Sequence, residues 1–177
     1  MELFDLTGRT ALITGSSMGI GFALARGLAQ AGARIVLNAR NAERLAGAAE
    51  TLRREGFDVD TLVFDVTDAA GVRAAVDDYE RERAIDILIN NAGIQFVAPV
   101  DEFPEDKWNA VMDIIMNSAF HTTKAVLPGM KGKGWGRIIN TGSMHSKVAS
   151  PYKSAYNAAK HAIDGFGKTV ALEVAQQ

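Results

Sequence analysis

The sequence predicts an α/β domain in which a doubly wound parallel sheet carries helices on both faces. Short apolar segments rich in strand-forming residues alternate along the chain with longer segments whose apolar residues recur at helical spacing. The segment 85–93 has a near-continuous apolar centre, which is typical of a strand buried on both faces of a parallel sheet. Because the chain shows no repeat, linker or low-complexity segment, residues 1–177 are predicted to form one domain.

Five strands are predicted. They cover residues 9–14, 34–39, 58–66, 85–93 and 137–143. The connections between parallel strands of one sheet are right-handed. Ligands of such sheets bind beyond the carboxyl ends of the strands. The loops that follow these five strands are therefore the expected place for a functional site.

Helices are predicted between the strands from apolar spacing and from residues that favour helix ends. The first helix follows the turn GSSMG and repeats apolar residues such as Leu24 and Leu28 at helical spacing. Asp68 is predicted to cap a helix that extends to about residue 82. The remaining predicted helices cover residues 41–55, 105–130 and 154–175. Pro128 and Gly129 are predicted to end the second of these three.

Composition and charge exclude several classes of protein. The net charge of −2 argues against a nucleic-acid-binding surface, which needs clustered positive charge. No apolar run reaches the length of a membrane span, and the acidic N-terminal segment lacks the order of a signal peptide. The sequence has no cysteine, which excludes disulfides and thiolate sites and fits a reducing cytoplasm. We predict no metal site.

A glycine-rich turn lies between the first strand and the first helix. Glycines allow a tight turn and a close approach of the backbone to a ligand. The helix that follows offers free N–H groups and a positive dipole end to a pyrophosphate. A turn without a ligand is the alternative, but the position of this turn after a first strand favours a dinucleotide. The residues predicted to contact the dinucleotide here are Gly15, Ser17, Gly19, Ile20 and Gly21.

The segment 143–160 holds a second group of candidates. Tyr156 and Lys160 are four residues apart on a predicted helix, so they share one face. Phenols titrate near pKa 10, and a nearby ammonium group stabilises the phenolate. Such a pair can exchange a proton with an alcohol or a carbonyl. Ser143 would donate a hydrogen bond to the developing oxyanion. In isolation, a tyrosine and a lysine at this spacing occur often in helices by chance.

The glycine spacing G-x-x-x-G-x-G, the sequence NNAG at 90–93 and the pair Tyr156 and Lys160 together resemble the short-chain dehydrogenase/reductase family. The resemblance covers essentially the whole chain and implies an NAD(P)-dependent oxidoreductase that acts on a CH–OH group. It implies four catalytic residues: Asn117, Ser143, Tyr156 and Lys160. Asn117 would hold a water that links Lys160 to solvent. The helices 105–130 and 154–175 would form a homodimer or homotetramer.

The resemblance also assigns cofactor contacts after the second, third and fourth strands. Besides Tyr156 and Lys160, these are Arg40, Asp65, Val66, Asn91, Ala92 and Gly93. An acidic residue at the end of the second strand binds the ribose of NAD. Here Arg40 stands at this strand end and would pair with a 2′-phosphate, so NADP(H) is favoured over NAD(H). A solvated loop cation is the alternative for Arg40. Asp65 would hold the adenine amino group.

Three polar residues are expected near the reacting carbon: Gln95, His145 and Lys153, together with Ser143 and Tyr156. The second half of the chain is similar to D-3-hydroxybutyrate dehydrogenases of this family, in which the matching residues bind the substrate carboxylate. An amide, an imidazole and an ammonium group suit a carboxylate. The first half is similar to gluconate 5-dehydrogenases. The expected substrate is therefore D-3-hydroxybutyrate or acetoacetate, and gluconate or another sugar acid is the alternative.

The last part of the family pattern is missing from this sequence. Family members continue after the final helix with a further strand, a lid over the substrate and a last strand, whereas this sequence stops at Gln177. The resemblance therefore implies a C-terminally truncated chain, either a fragment or a sequence given without its remainder. An enzyme is expected, and a dinucleotide-binding module without catalysis is the alternative.

Overall fold

The computed structural model describes residues 4–177 and contains one sheet of five parallel strands. The strands are β1 (Thr10–Ile13), β2 (Arg34–Ala39), β3 (Val59–Val63), β4 (Ile87–Asn90) and β5 (Arg137–Asn140). They lie in the order β3-β2-β1-β4-β5, and every neighbouring pair is parallel. The chain therefore builds the sheet outward from β1 on one side and then on the other, as predicted for a doubly wound sheet.

Within residues 4–177, six α-helices connect or follow the strands. They are α1 (Gly19–Gln30), α2 (Ala42–Arg54), α3 (Ala69–Glu80), α4 (Glu105–Met112), α5 (Ser118–Lys133) and α6 (Ser154–Val174). The side chain of Asp68 accepts a hydrogen bond from the N–H of Ala70 and so caps α3 as predicted. No helix within residues 4–177 is long and apolar enough to cross a membrane.

The predicted helix 105–130 differs from the structure in two ways. A π-helical turn, Asp113–Asn117, separates α4 from α5. The predicted end at Pro128 is wrong, because α5 continues to Lys133 and ends at Gly134, whose φ of 63° is left-handed. A proline removes one helix hydrogen bond, here the bond to the carbonyl of Lys124. Pro128 and Lys124 are both exposed, so water can satisfy this carbonyl.

Two apolar cores cover the two faces of the sheet. Ile13 and Ile35 contribute to the core under α1 and α2, whereas Leu12 and Val36 contribute to the core under α3 and α5. Adjacent residues of a strand point to opposite faces. All four side chains are fully buried. The alternation explains why the central strands are apolar throughout, as expected for a parallel sheet.

A third core joins α6 to the α4–α5 unit. Its buried members are Val111, Ile115, Ala119, Ala155, Ala159 and Ile163. The alanines let the helices approach closely, and the aromatic side chains of Tyr156 and Phe166 border this core. The start of α6 is thereby held close to the carboxyl end of β5, where the segment 141–153 connects the two elements.

Candidate active site

The loops that follow β1, β2, β3 and β4 line a cleft of about 480 Å³ at the carboxyl edge of the sheet. Most of the residues predicted to contact the cofactor line this cleft: Gly15, Ser17, Ile20, Gly21, Arg40, Asp65, Val66, Asn91, Ala92 and Gly93. Gly19, Tyr156 and Lys160 are not among its lining residues. The cleft lies where the strand order reverses, between β1 and β4, which is the usual ligand position in open α/β sheets.

The three glycines of the turn have different physical reasons to be glycine. Gly15 and Gly19 have φ angles of 62° and 60°, in the left-handed region that favours glycine. At Gly21, an added Cβ would lie 2.6 Å from both Asn91 Nδ2 and the carbonyl oxygen of Gly15. The glycine at position 21 thus allows α1 to begin close to the loop after β4. A backbone cradle of this kind leaves free N–H groups for a phosphate.

Thr14 is buried and joins the loops after β1 and β4, a role that the sequence analysis missed. Its hydroxyl oxygen accepts hydrogen bonds from the N–H groups of Asn91 and Ala92, both at 3.0 Å. In return, the side-chain amide of Asn91 donates to the carbonyl oxygens of Thr14 at 3.0 Å and Gly15 at 3.3 Å. The only sequence signal was a threonine at the end of an apolar strand, directly before glycine.

Asn38 is the second structural residue that the sequence analysis missed. It is 1% exposed, and its amide donates to the carbonyl oxygens of Leu62 and Phe64 at 3.1 and 3.2 Å. Its backbone N–H donates to Ser16 Oγ at 2.9 Å. Asn38 therefore ties the ends of β1, β2 and β3 together under the cleft. In the sequence, the indication of this role was a polar residue within the apolar strand RIVLNA, since a polar group buried there must form hydrogen bonds.

The rim of the cleft beside β2 carries charges of both signs. Arg40 Nη1 lies 3.4 Å from Asp65 Oδ2. The other oxygen of Asp65 accepts hydrogen bonds from the Thr67 backbone N–H at 2.9 Å and the Thr67 hydroxyl at 2.8 Å. Partial burial raises the pKa of Asp65, but the Thr67 hydrogen bonds and the charge of Arg40 outweigh it, so the pKa lies below its ordinary value. Asp65 is therefore a fixed anion.

Lys160 reaches the end of β5 from within α6. Its ammonium group donates to the carbonyl oxygen of Thr141 at 2.5 Å and lies 5.7 Å from the centroid of the Tyr156 ring. Lys160 is 5% exposed, and burial lowers the pKa of its ammonium group. The predicted pair therefore shares one face of α6, and that face is directed at the carboxyl edge of the sheet.

Ser143 and His145 lie in the turn that follows β5. The Oγ of Ser143 accepts a hydrogen bond from the His145 N–H at 3.1 Å, so its hydroxyl hydrogen is free to donate elsewhere. The ring of His145 meets the ring of Tyr156 edge to face, with centroids 5.9 Å apart. The structure thus brings Ser143, His145, Tyr156 and Lys160 to one place.

Asn117 is the last residue of the π-helical turn between α4 and α5. It is exposed, and its side-chain amide donates to Asp113 Oδ1 at 2.6 Å, one turn earlier. Ile114, three residues before it, lines the cleft. The face that packs against α6 carries Ile115, which is 1% exposed. The predicted role of Asn117, to hold a water that links Lys160 to solvent, stays a prediction.

Gln95 and Lys153 lie on two segments that the structure joins. Gln95 is exposed in the loop after β4, and Lys153 directly precedes α6. The N–H of Ala98 in this loop donates to the carbonyl oxygen of Tyr152 at 2.9 Å. Tyr152 has a φ of 65°, an uncommon backbone conformation for a bulky residue. The strained Tyr152 was not predicted, because φ is a property of the folded chain.

The sheet, the glycine cradle and the cleft at the strand reversal define an α/β protein of the dinucleotide-binding class. The profile of the family described as short chain dehydrogenase matches residues 9–177, and the chain belongs to this family. It carries the sequence and fold of an oxidoreductase of that family, as expected from its motifs.

Relatives of both expected specificities match this chain along nearly its whole length. The chain is 48% identical to a D-beta-hydroxybutyrate dehydrogenase of Cupriavidus necator over 175 residues, which cover 97% of this chain and 67% of the relative. It is 44% identical to a gluconate 5-dehydrogenase of Gluconobacter oxydans over 173 residues, 97% of this chain and 68% of the relative. The chain therefore spans about two thirds of the length of these relatives.

A solved structure is similarly close. A gluconate 5-dehydrogenase from Burkholderia cenocepacia, in complex with NADP and tartrate, superimposes with a TM-score of 0.95 at 49% identity. The match covers 98% of this chain and 68% of that protein.

Proposed function

We propose that this chain is part of an enzyme that transfers a hydride between a nicotinamide dinucleotide and a small hydroxy acid. The observation that carries the proposal is the position of Tyr156 and Lys160, beside Ser143, at the carboxyl edge of a sheet whose cleft has a glycine cradle. Bound in this cleft, a nicotinamide dinucleotide supplies the hydride acceptor for oxidation or the hydride donor for reduction.

The protein residues would supply the proton chemistry. Tyr156 takes the proton of the substrate hydroxyl during oxidation and returns it during reduction. The Lys160 ammonium lies 5.7 Å from the centroid of the Tyr156 ring, and its burial strengthens its attraction for negative charge at this place because little water screens it. Ser143 donates its hydroxyl hydrogen to the oxygen on which negative charge develops. The site therefore fits proton exchange at a single oxygen atom of the substrate.

Tyr156→Phe tests this mechanism. The variant is expected to lose at least about a hundredfold in turnover, since general acid–base catalysis contributes this much, while it binds the dinucleotide as before. Tyr79→Phe is the matched control, because the Tyr79 hydroxyl donates to Asp60 Oδ2 at 2.8 Å, between β3 and α3. The control is expected to lose stability but not turnover. Unchanged turnover in Tyr156→Phe would show that the phenol is not the acid–base group.

The proposed substrate pair is D-3-hydroxybutyrate and acetoacetate. The relative of this specificity in Cupriavidus necator supports it, as does the position of His145 against the Tyr156 ring. Gln95 and Lys153 lie on the two segments joined at Tyr152, so both segments border the same side of the site. An imidazole, an amide and an ammonium group there would bind a carboxylate.

Gluconate or another sugar acid is the second candidate, favoured by the similarity to the gluconate 5-dehydrogenase solved with NADP and tartrate. Initial rates with 3-hydroxybutyrate and with gluconate, each with NADP and with NAD, separate the two. Faster oxidation of gluconate would overturn the substrate proposal. Binding of a dinucleotide by calorimetry with no turnover in a broad panel of alcohols would instead indicate a binding module without catalysis.

NADP is the proposed cofactor. Arg40 follows β2 without a carboxylate at this strand end, and Arg44 in the first turn of α2 also lines the cleft. Two cations at the start of a helix favour a phosphate over a ribose hydroxyl. Tighter binding of NAD than of NADP to the protein would contradict this choice.

A homodimer or homotetramer is the proposed assembly of this domain, residues 1–177. The outer faces of α5 and α6 share an apolar groove whose lining includes Phe120, Leu127, Phe166 and Val170. Phe120 is 46% exposed, and its ring lies 6.4 Å from that of Phe166. We expect light scattering to give a multiple of the chain mass, and we expect Phe120→Glu to reduce the measured mass. A monomeric mass of the unaltered protein contradicts the assembly.

We place the protein in the cytoplasm, in line with a sequence without cysteine.

A further inference from the structure

Asp65 and Arg40 form an ion pair at the part of the cleft rim where a 2′-phosphate would bind, so this inference rests on the proposed function. The two partners are held very differently. Both hydrogen bonds from Thr67 fix Asp65, whereas the Arg40 side chain is 70% exposed. A phosphate that approaches Arg40 must therefore compete with a fixed carboxylate for the same guanidinium group.

We propose that Asp65 sets the discrimination between NADP and NAD in this cleft by restraining Arg40. The carboxylate lowers the affinity for NADP and leaves the affinity for NAD, which lacks the 2′-phosphate, without this penalty. Arg44 also lines the rim and approaches Met18, with its Nη1 3.8 Å from the thioether sulfur, so it stays available to a phosphate. Asp65 thus reduces a preference for NADP that the two arginines would otherwise make stronger.

The expected effect is modest because the pair is exposed. Ion pairs on protein surfaces contribute little, since water and salt screen them. Release of Arg40 from Asp65 is therefore expected to raise the ratio of the NAD dissociation constant to the NADP dissociation constant by about two- to fivefold. The increase should shrink at high salt, because the Debye length falls from about 10 Å at 0.1 M to about 3 Å at 1 M.

The test is calorimetric titration of the protein with NADP and with NAD in four forms: unaltered, Asp65→Asn, Arg40→Ala and the double variant. Asparagine keeps an oxygen that accepts the Thr67 hydrogen bonds, so the loop is preserved. If Asp65→Asn weakens contacts with the adenosine part, which NADP and NAD share, both dissociation constants rise by the same factor and their ratio does not change. Asp68→Asn is the matched control, since Asp68 is a nearby carboxylate on the helix cap and asparagine caps helices equally well.

The ratio of the NAD to the NADP dissociation constant is expected to rise in Asp65→Asn and to stay unchanged in Asp68→Asn. Between Arg40→Ala and the double variant, the ratio is expected to change much less. An unchanged ratio in Asp65→Asn overturns the inference. An equal rise with and without Arg40 also overturns it, because the carboxylate would then act directly on the phosphate. If neither dinucleotide binds the unaltered protein, the proposed function fails and the inference fails with it.

Discussion

Replacement of Gly21 with alanine should disrupt the contact between the first turn of α1 and the loop after β4. A Cβ at this position would lie 2.6 Å from Asn91 Nδ2, 2.6 Å from the Gly15 oxygen and 2.9 Å from Ser16 Cα. Ordinary carbon contacts are about 3.5–4.0 Å. Two of these neighbours are backbone atoms, so the loop backbone at Gly15 and Ser16 must shift as well as the Asn91 side chain.

The size of the stability loss in Gly21→Ala follows from the contacts that would change. Overpacking of a tight site costs about 1–3 kcal/mol. Displacement of Asn91 also weakens its bonds to the Thr14 and Gly15 carbonyl oxygens, at about 1 kcal/mol each. The higher helix propensity of alanine offsets about 1 kcal/mol. We therefore expect the free energy of unfolding to fall by about 2–4 kcal/mol and the affinity for the dinucleotide to fall with it.

Gly27→Ala is the matched control on the same helix. Gly27 is exposed, and a Cβ there would meet nothing within 4 Å, so the substitution should stabilise the protein by about 0.5–1 kcal/mol. Urea denaturation followed by circular dichroism gives both free energies, and titration with NADP gives the affinities. If Gly21→Ala is as stable as Gly27→Ala and binds NADP as tightly as the unaltered protein, the close approach at Gly21 has no energetic importance.

Two further predictions concern Lys160 and Tyr152. Burial holds the pKa of Lys160 in the folded protein below its ordinary value of 10.5. Between these two pKa values the unfolded chain binds more protons than the folded protein, so the free energy of unfolding rises with pH. Lys160→Met should lose this rise in urea denaturation between pH 7 and 10, and an equal rise in the variant contradicts the assignment. Tyr152→Gly should raise the melting temperature, because a left-handed backbone costs a non-glycine residue about 1–2 kcal/mol. Tyr152→Ala keeps this strain, so an equal gain there refutes the explanation.

The fold and much of the cleft follow from local signals in the sequence. Apolar segments marked the strands, and the glycines at positions 15, 19 and 21 marked the turn after β1. In a parallel sheet the carboxyl ends of the strands must share one edge, so the residues after each strand were expected to meet there. Arg40 and Asp65 do line one cleft, as that reasoning requires.

Tertiary structure decided what depends on contacts between distant residues or on helical phase. Thr14 and Asn38 matter through hydrogen bonds to residues far along the chain, which no local pattern encodes. The π-helical turn Asp113–Asn117, which no local pattern predicted, sets the helical phase there, and Ile115 is its buried residue in the core with α6. Composition and periodicity determine which segments form strands and helices, whereas the packed helices decide which side chain of each turn faces the site, because a shift of one or two residues rotates it to another face.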